Sequence, residues 1–258
     1  MSKRLWGVVL ASAMLALPAG AQQSQPPQDN QLSNPGSAFV GDGRRASWHA
    51  EVERTERGFR VGNPQAEASL IEFMSYTCGH CATFAREGEG ALDLTVLAPG
   101  HMNLEIRPVI RNAIDLTVSL LVQCGETKDF KNRHRMFLAR QASWLGKARQ
   151  APQSQMASWA RGDRAARASM AAALDLDDML ANSGMSRVDI NACIADDEAA
   201  LALIRNGAAD REDFSITGTP SFALDGELLT DVHEWSTLSP VLSEHFRPKD
   251  AQDSAFSP

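Results

Sequence analysis

Cysteine is scarce in this chain: four residues in 258, at positions 78, 81, 124 and 193. That is too few to staple a small loop-rich fold, so a hydrophobic core has to organise the chain. With 43% hydrophobic residues there is material for one domain of ordinary size plus an insertion, or for two small domains. Positive charge is also short. The 25 Lys and Arg against 32 Asp and Glu leave a formal net charge of −7. Nucleic acid is thereby excluded as a partner, because phosphate binding needs a basic stripe. No internal repeat is present, and no segment beyond the first 17 residues is long and apolar enough to span a bilayer.

The N-terminus has the composition of an export signal. Lys3 and Arg4 precede an apolar run from Leu5 to Leu17, and Ala19-Gly20-Ala21 has the small-x-small pattern of a cleavage site. Residues 1–21 are therefore expected to be a cleaved signal peptide, with an uncleaved anchor as the alternative. The mature protein would then be soluble, without stable membrane insertion, in the periplasm, where disulfides persist. Residues 22–47 are rich in Gln, Pro, Ser, Asn and Gly and read as a flexible polar tether.

Order is expected from Trp48. Alternation through Val52–Thr55, then Phe59 and Val61, suggests an edge strand or hairpin. Ala68 to Tyr76 is a short, strongly apolar run of the kind that forms a central buried strand. A helix follows from Cys78, with a bend expected at Gly88 and Gly90. Met102 to Ile110 reads as another strand, in which Pro108 predicts a bulge or an edge. Residues 113–210 carry only helical spacing and read as an inserted helical domain, with helices at 153–162, 164–181 and 186–207. Two short strands around Asp225-Gly226 predict a hairpin. An amphipathic helix over about 234–246 closes the domain of residues 48–112 and 211–247, and 248–258 reads as a loose tail. The fold class is α/β: a mixed sheet with helices on both faces and an all-helical insertion.

The chemistry converges on Cys78-Gly79-His80-Cys81, placed where a buried strand gives way to a helix. In disulfide exchange the thiolate is the nucleophile, and free amides and the positive dipole end of a helix favour it. Cys78 is the expected nucleophile, His80 a tuning residue, and Cys81, one turn on, the resolving thiol. The competing reading of CxxC is half a zinc site, which needs a second pair or two well-placed histidines. Cys124 and Cys193 are isolated from one another and His101 and His134 lie on different elements, so no metal and no cofactor is expected. Glu72, in the middle of an apolar strand, is a candidate buried acid that exchanges the proton of Cys81; a solvated strand-edge position is the alternative. Thr219-Pro220 enters the late hairpin, and beside a CxxC it suggests a cis bond and a backbone platform for an extended substrate. An ordinary trans proline is the alternative. Cys124 and Cys193 are expected to form a structural disulfide, worth roughly 4 kcal/mol in the chain-entropy model, with two free buried thiols as the alternative. The other histidines read as surface or packed residues.

The segments Ile71-Glu72-Phe73-Met74-Ser75-Tyr76-Thr77-Cys78-Gly79-His80-Cys81 and Gly218-Thr219-Pro220-Ser221-Phe222, around a helical insertion, resemble the DsbA family of bacterial periplasmic thiol oxidases. The resemblance covers about residues 48–247. It implies a thioredoxin fold, oxidation of unfolded exported proteins with free cysteines, and reoxidation by a quinone-linked membrane partner of the DsbB type. The extra pair Cys124 and Cys193 looks like the second disulfide of the alphaproteobacterial branch. Gly-His between the cysteines resembles protein disulfide isomerase, and Thr before the proline is commoner in the isomerases DsbC and DsbG. Those isomerases carry an N-terminal dimerisation domain, which residues 22–47 are too polar to form. Isomerase or reductase action is thus the alternative within the fold, and a redox-inactive chaperone the alternative outside it. Nothing demands more than a monomer.

Overall fold

The computed structural model describes residues 47–247. The expected signal, nearly all of the tether and the tail lie outside the described residues.

A hairpin of β1 (Val52–Arg54) and β2 (Phe59–Gly62) begins the sheet, with Val52 opposite Val61. The apolar run condenses into β3 (Ala68–Met74), in which every residue except Ser69 is buried. Burial on both sides follows from its place. β3 lies between the parallel strand β4 (Met102–Pro108) and the antiparallel strand β5 (Ser221–Leu224). With β6 (Glu227–Leu228) the sheet order is β1-β2-β4-β3-β5-β6. The two-residue period puts Leu70, Glu72 and Met74 on one face and Ile71 and Phe73 on the other. Leu70 and Met74 join the main core with Cys78, Cys81 and Phe84, whereas Ile71 and Phe73 pack with Val109 and Ile216.

Pro108 makes neither a bulge nor an edge, contrary to expectation: β4 is an interior strand and Pro108 is its last residue. β2 begins at Phe59, opposite Ile106, so β4 has already run past that neighbour. The missing N–H therefore leaves no ladder bond unmade. The next residue resumes pairing, Val109 N donating to Met74 O at 2.7 Å.

Helix α1 (Gly79–Glu87) follows β3 and stops at Gly88, where the bend falls. A Cβ there would stand 2.8 Å from the Phe84 ring and 2.9 Å from the Trp235 ring, so only glycine fits. The chain continues as α2 (Glu89–Leu92) and a π-helical turn, Asp93–Leu97, before β4.

Between β4 and β5 lie α3 (Ala113–Val122), α4 (Phe130–Ala139), α5 (Gln141–Gln150), α6 (Gln153–Trp159), α7 (Arg164–Ala173), α8 (Leu176–Asn182), α9 (Arg187–Ala195) and α10 (Asp197–Asp213). Two expected helices are each two. The segment 164–181 breaks at Asp175, which adopts φ +57° and starts α8; aspartate tolerates this left-handed geometry better than most residues. The segment 186–207 breaks at Asp196, whose carboxylate accepts from Ala199 N at 2.8 Å and caps α10. α10 also runs on to Asp213, past the expected boundary at 210.

α3 is the axis of this helical layer, buried from Ile114 to Val122. Its Leu116 and Leu120 pack against Ala200 and Leu203 of α10. Gly207 lets α10 close on the end of β4, since a Cβ there would lie 3.1 Å from Pro108 O. Sheet and helices share one core: Phe59 of β2 stacks on Phe130 of α4 with ring centroids 3.9 Å apart. Cys124, after α3, is bonded to Cys193 of α9, with Cα atoms 5.8 Å apart. The 225–226 turn has positive φ at both residues, as a tight hairpin requires. α11 (Trp235–His245) closes the described chain.

Candidate active site

The cysteine pair sits at the β3–α1 junction. Cys78 occupies the N-cap position of α1 in extended backbone, with its amide donating to Ser75 O at 3.1 Å. Cys81 falls one helical turn on and is fully buried, whereas Gly79 and His80 are exposed. Both cysteines are free thiols. The Cys78 thiol donates to the carbonyl of Thr219 at 3.1 Å, and the Thr219–Pro220 bond is cis. The late hairpin is thereby pinned against the nucleophile position.

The two sulfurs have opposite proton affinities. A hydrogen bond from Cys81 is the main cause that pulls the Cys78 thiol down to about 4; burial opposes it, while Thr219 and the Cys81 and His80 amides assist. Burial pushes Cys81 well up, and its hydrogen bond to Cys78 and the Glu72 carboxylate push it further. Glu72, 1% exposed, is itself held well above the usual carboxylate range, first by burial and then by Glu89 and Cys78. Its Oε2 has no hydrogen-bond partner among the described residues. A buried carboxyl whose proton affinity is raised, and whose charge is felt at the Cys81 thiol, can exchange a proton with that sulfur when Cys81 changes between thiol and thiolate.

Several supporting residues come from elements far from the cysteines in the chain. Asp115, fully buried at the start of α3, accepts from Ser75 Oγ at 2.6 Å, Tyr76 N at 2.8 Å and Arg111 N at 3.0 Å. Burial raises it to about 6 against those donors. Gln141, at the start of α5, donates from Nε2 to Tyr76 O at 2.7 Å and to Cys78 O at 2.8 Å. The two side chains hold the loop before the cysteines from the helical layer. The Asn112-x-x-Asp115 spacing was a readable helix-start signal, since Asn112 Oδ1 accepts from Asp115 N at 2.9 Å. Gln141 offered no such signal. His233, read as having no role, places Nδ1 2.8 Å from Pro220 O. His134 is packed: it is fully buried, with Tyr76 Oη 2.9 Å from Nδ1 and Glu89 Oε1 2.8 Å from Nε2. His101 lies apart from the cysteines, 3.7 Å from exposed Glu67.

Two hollows flank the cis-proline loop. One, about 320 Å³, is lined by Cys78, His80, Arg111, Arg211 and Thr217–Thr219. The other, about 450 Å³, shares His80 and Thr217–Thr219 and adds Asp231, His233, Glu234 and Thr237. Among the described residues no group of His, Cys, Asp and Glu has a metal-binding arrangement.

Known proteins resemble this chain in sequence and fold. A protein-disulfide isomerase of Novosphingobium aromaticivorans is 33% identical in sequence and superposes with a TM-score of 0.71 over 73% of this chain and 97% of that one. Alpha-DsbA1 of Wolbachia pipientis, at 19% identity, shares the fold with a TM-score of 0.57 over 72% of this chain and 88% of its own. Among sequence relatives, a protein-disulfide oxidoreductase of Rickettsia conorii is 24% identical over 169 residues, covering 64% of this chain. The chain spans about half the length of that protein (52%) and of a similarly named one in Rickettsia typhi (54%). The thioredoxin family profile matches residues 54–244, which take in the cysteine pair, the helical layer and the cis-proline. The chain therefore belongs to the thioredoxin family, on the DsbA-type plan in which helices are inserted into the fold.

Proposed function

We propose that the protein is an exported thiol–disulfide oxidoreductase acting as a dithiol oxidase, with Cys78 and Cys81 as its redox pair. The observation that carries this reading is the asymmetry of the pair: a thiolate-favouring Cys78 in contact with Thr219 and a buried, proton-holding Cys81 beside Glu72. Stabilising the reduced thiolate makes the disulfide form a stronger oxidant.

In the oxidised protein a substrate thiolate attacks Cys78 Sγ and breaks the Cys78–Cys81 bond. Cys81 leaves as a thiolate and takes the proton held by Glu72. A second substrate thiolate then attacks the substrate sulfur of the mixed disulfide. The substrate disulfide forms, and Cys78 departs as the thiolate its surroundings favour. Two electrons have passed from substrate to the cysteine pair. A membrane quinone-linked oxidant of the DsbB type would return the pair to its disulfide. The substrates would be unfolded exported proteins, with Thr219 and Pro220 as the backbone platform and His80 beside the nucleophile. The reading places a monomer in the periplasm. No helix among the described residues is long and apolar enough to cross a membrane. Cys124–Cys193 has a structural role in it.

Isomerase action is the second reading, favoured by the 33% identity to a protein named a protein-disulfide isomerase. Equilibration with glutathione tests the first reading. Gly-His between the cysteines sets the expected potential between about −120 and −180 mV, and a value below about −250 mV would mean that the pair works reduced. Rearrangement of a scrambled disulfide protein at a rate above that of simple thiol oxidation would favour the isomerase.

A further inference from the structure

Charge is distributed unevenly around the candidate site. Arg111 arrives from the β4–α3 connection and Arg211 from the last turn of α10. Both line the 320 Å³ hollow that contains Cys78, and none of its seven lining residues is a carboxylate. Arg111 is exposed and Arg211 half-buried. Neither takes part in an ion pair among the described residues, although this chain has more acid than base. The nearby carboxylate of Asp115 is already occupied by Ser75, Tyr76 and the Arg111 amide. On the other side of His80 and Thr219 the sign reverses, where Asp231 and Glu234 line the second hollow. An extended peptide laid against Thr219 would meet positive charge on the Cys78 side and negative charge on the other.

We propose that Arg111 and Arg211 form an anion-reading subsite that selects protein substrates carrying an acidic side chain next to the reacting cysteine. The inference rests on the oxidoreductase reading and adds a substrate class to it. Two solvent-accessible charge contacts of ordinary strength amount to about fivefold to tenfold in rate constant.

The test uses the full oxidised chain and three synthetic dithiol peptides that differ only beside one cysteine, where they carry Glu, Gln or Lys. The neutral peptide reports redox activity alone: if none of the three is oxidised, the oxidoreductase reading itself fails. The Glu peptide is expected to react about fivefold to tenfold faster than the Gln peptide, with the Lys peptide slowest and the spread narrowing as salt is raised. In R111Q/R211Q the Glu-to-Gln ratio falls towards one, and in R111K/R211K most of it is retained. Equal rates for all three peptides with the unaltered chain would overturn the proposal. So would a ratio that survives in R111Q/R211Q while all rates fall together, because the arginines would then act on Cys78. Reduced glutathione is run alongside. If its rate alone falls in R111Q/R211Q, the subsite serves a small thiol and the peptide assignment is wrong.

Discussion

At the scale of single residues, Cys78 is the most informative position. Its folded-state affinity for a proton, near pH 4, is far below that of an ordinary thiol at about 8.5. A depressed acid contributes stability that is complete above the ordinary value and is lost as pH falls through the folded value. Reduction of the pair should therefore stabilise the protein increasingly from pH 4 to pH 8. Melting both redox forms across that range checks this, and a thiolate absorbance titration should give a midpoint of about 4. Gly79 offers a second test. A Cβ there meets nothing within 4 Å, and the amides that face Cys78 belong to His80 and Cys81. Gly79→Pro at the first helical position should thus raise stability by about 0.4–1 kcal/mol without removing a donor from the thiolate. Asp115→Asn is expected to cost about 1–3 kcal/mol, because it turns an amide towards buried donors that a carboxylate had satisfied. Denaturant melts would register that loss.

At the scale of elements, what the chain reveals about itself depends on where the determining contacts are. β3 was legible because a strand between two neighbours is apolar on both faces, and the position of Glu72 followed from the two-residue period. The Asp225-Gly226 hairpin was legible for the same reason: its turn chemistry is local. The breaks at Asp175 and Asp196 were not. Both residues stand in acidic, alanine- and leucine-rich stretches whose helical spacing continues across the break, and only packing decides that the axis turns. Gln141 was illegible because its partners, Tyr76 O and Cys78 O, lie more than 60 positions away. Contact between elements also gives a test. Gly207→Ala would drive a methyl against Pro108 O, so a loss of about 1–3 kcal/mol is expected, with the Cys78 titration midpoint unmoved. A shifted midpoint would mean that the α10–β4 contact reaches the cysteines.

At the scale of the whole molecule, the Cys124–Cys193 bond closes a 69-residue span of the helical layer. Replacing both cysteines with serine should cost roughly 4 kcal/mol, or about 10 °C in Tm for a domain of this size. If the bond is structural only, the glutathione equilibrium of the other pair should not move. The same layer sends Asp115 and Gln141 to the nucleophile's loop, so the inserted helices are part of how the site is held and not an appendage. The contact between Cys78 and Thr219 has one more consequence, because it joins positions 141 apart. Ribosomes deliver a chain from its N-terminus. The two cysteines emerge well before the carbonyl that Cys78 contacts has been made. The nascent protein thus carries an unfinished site, because one wall of it arrives only with a segment 141 positions further along.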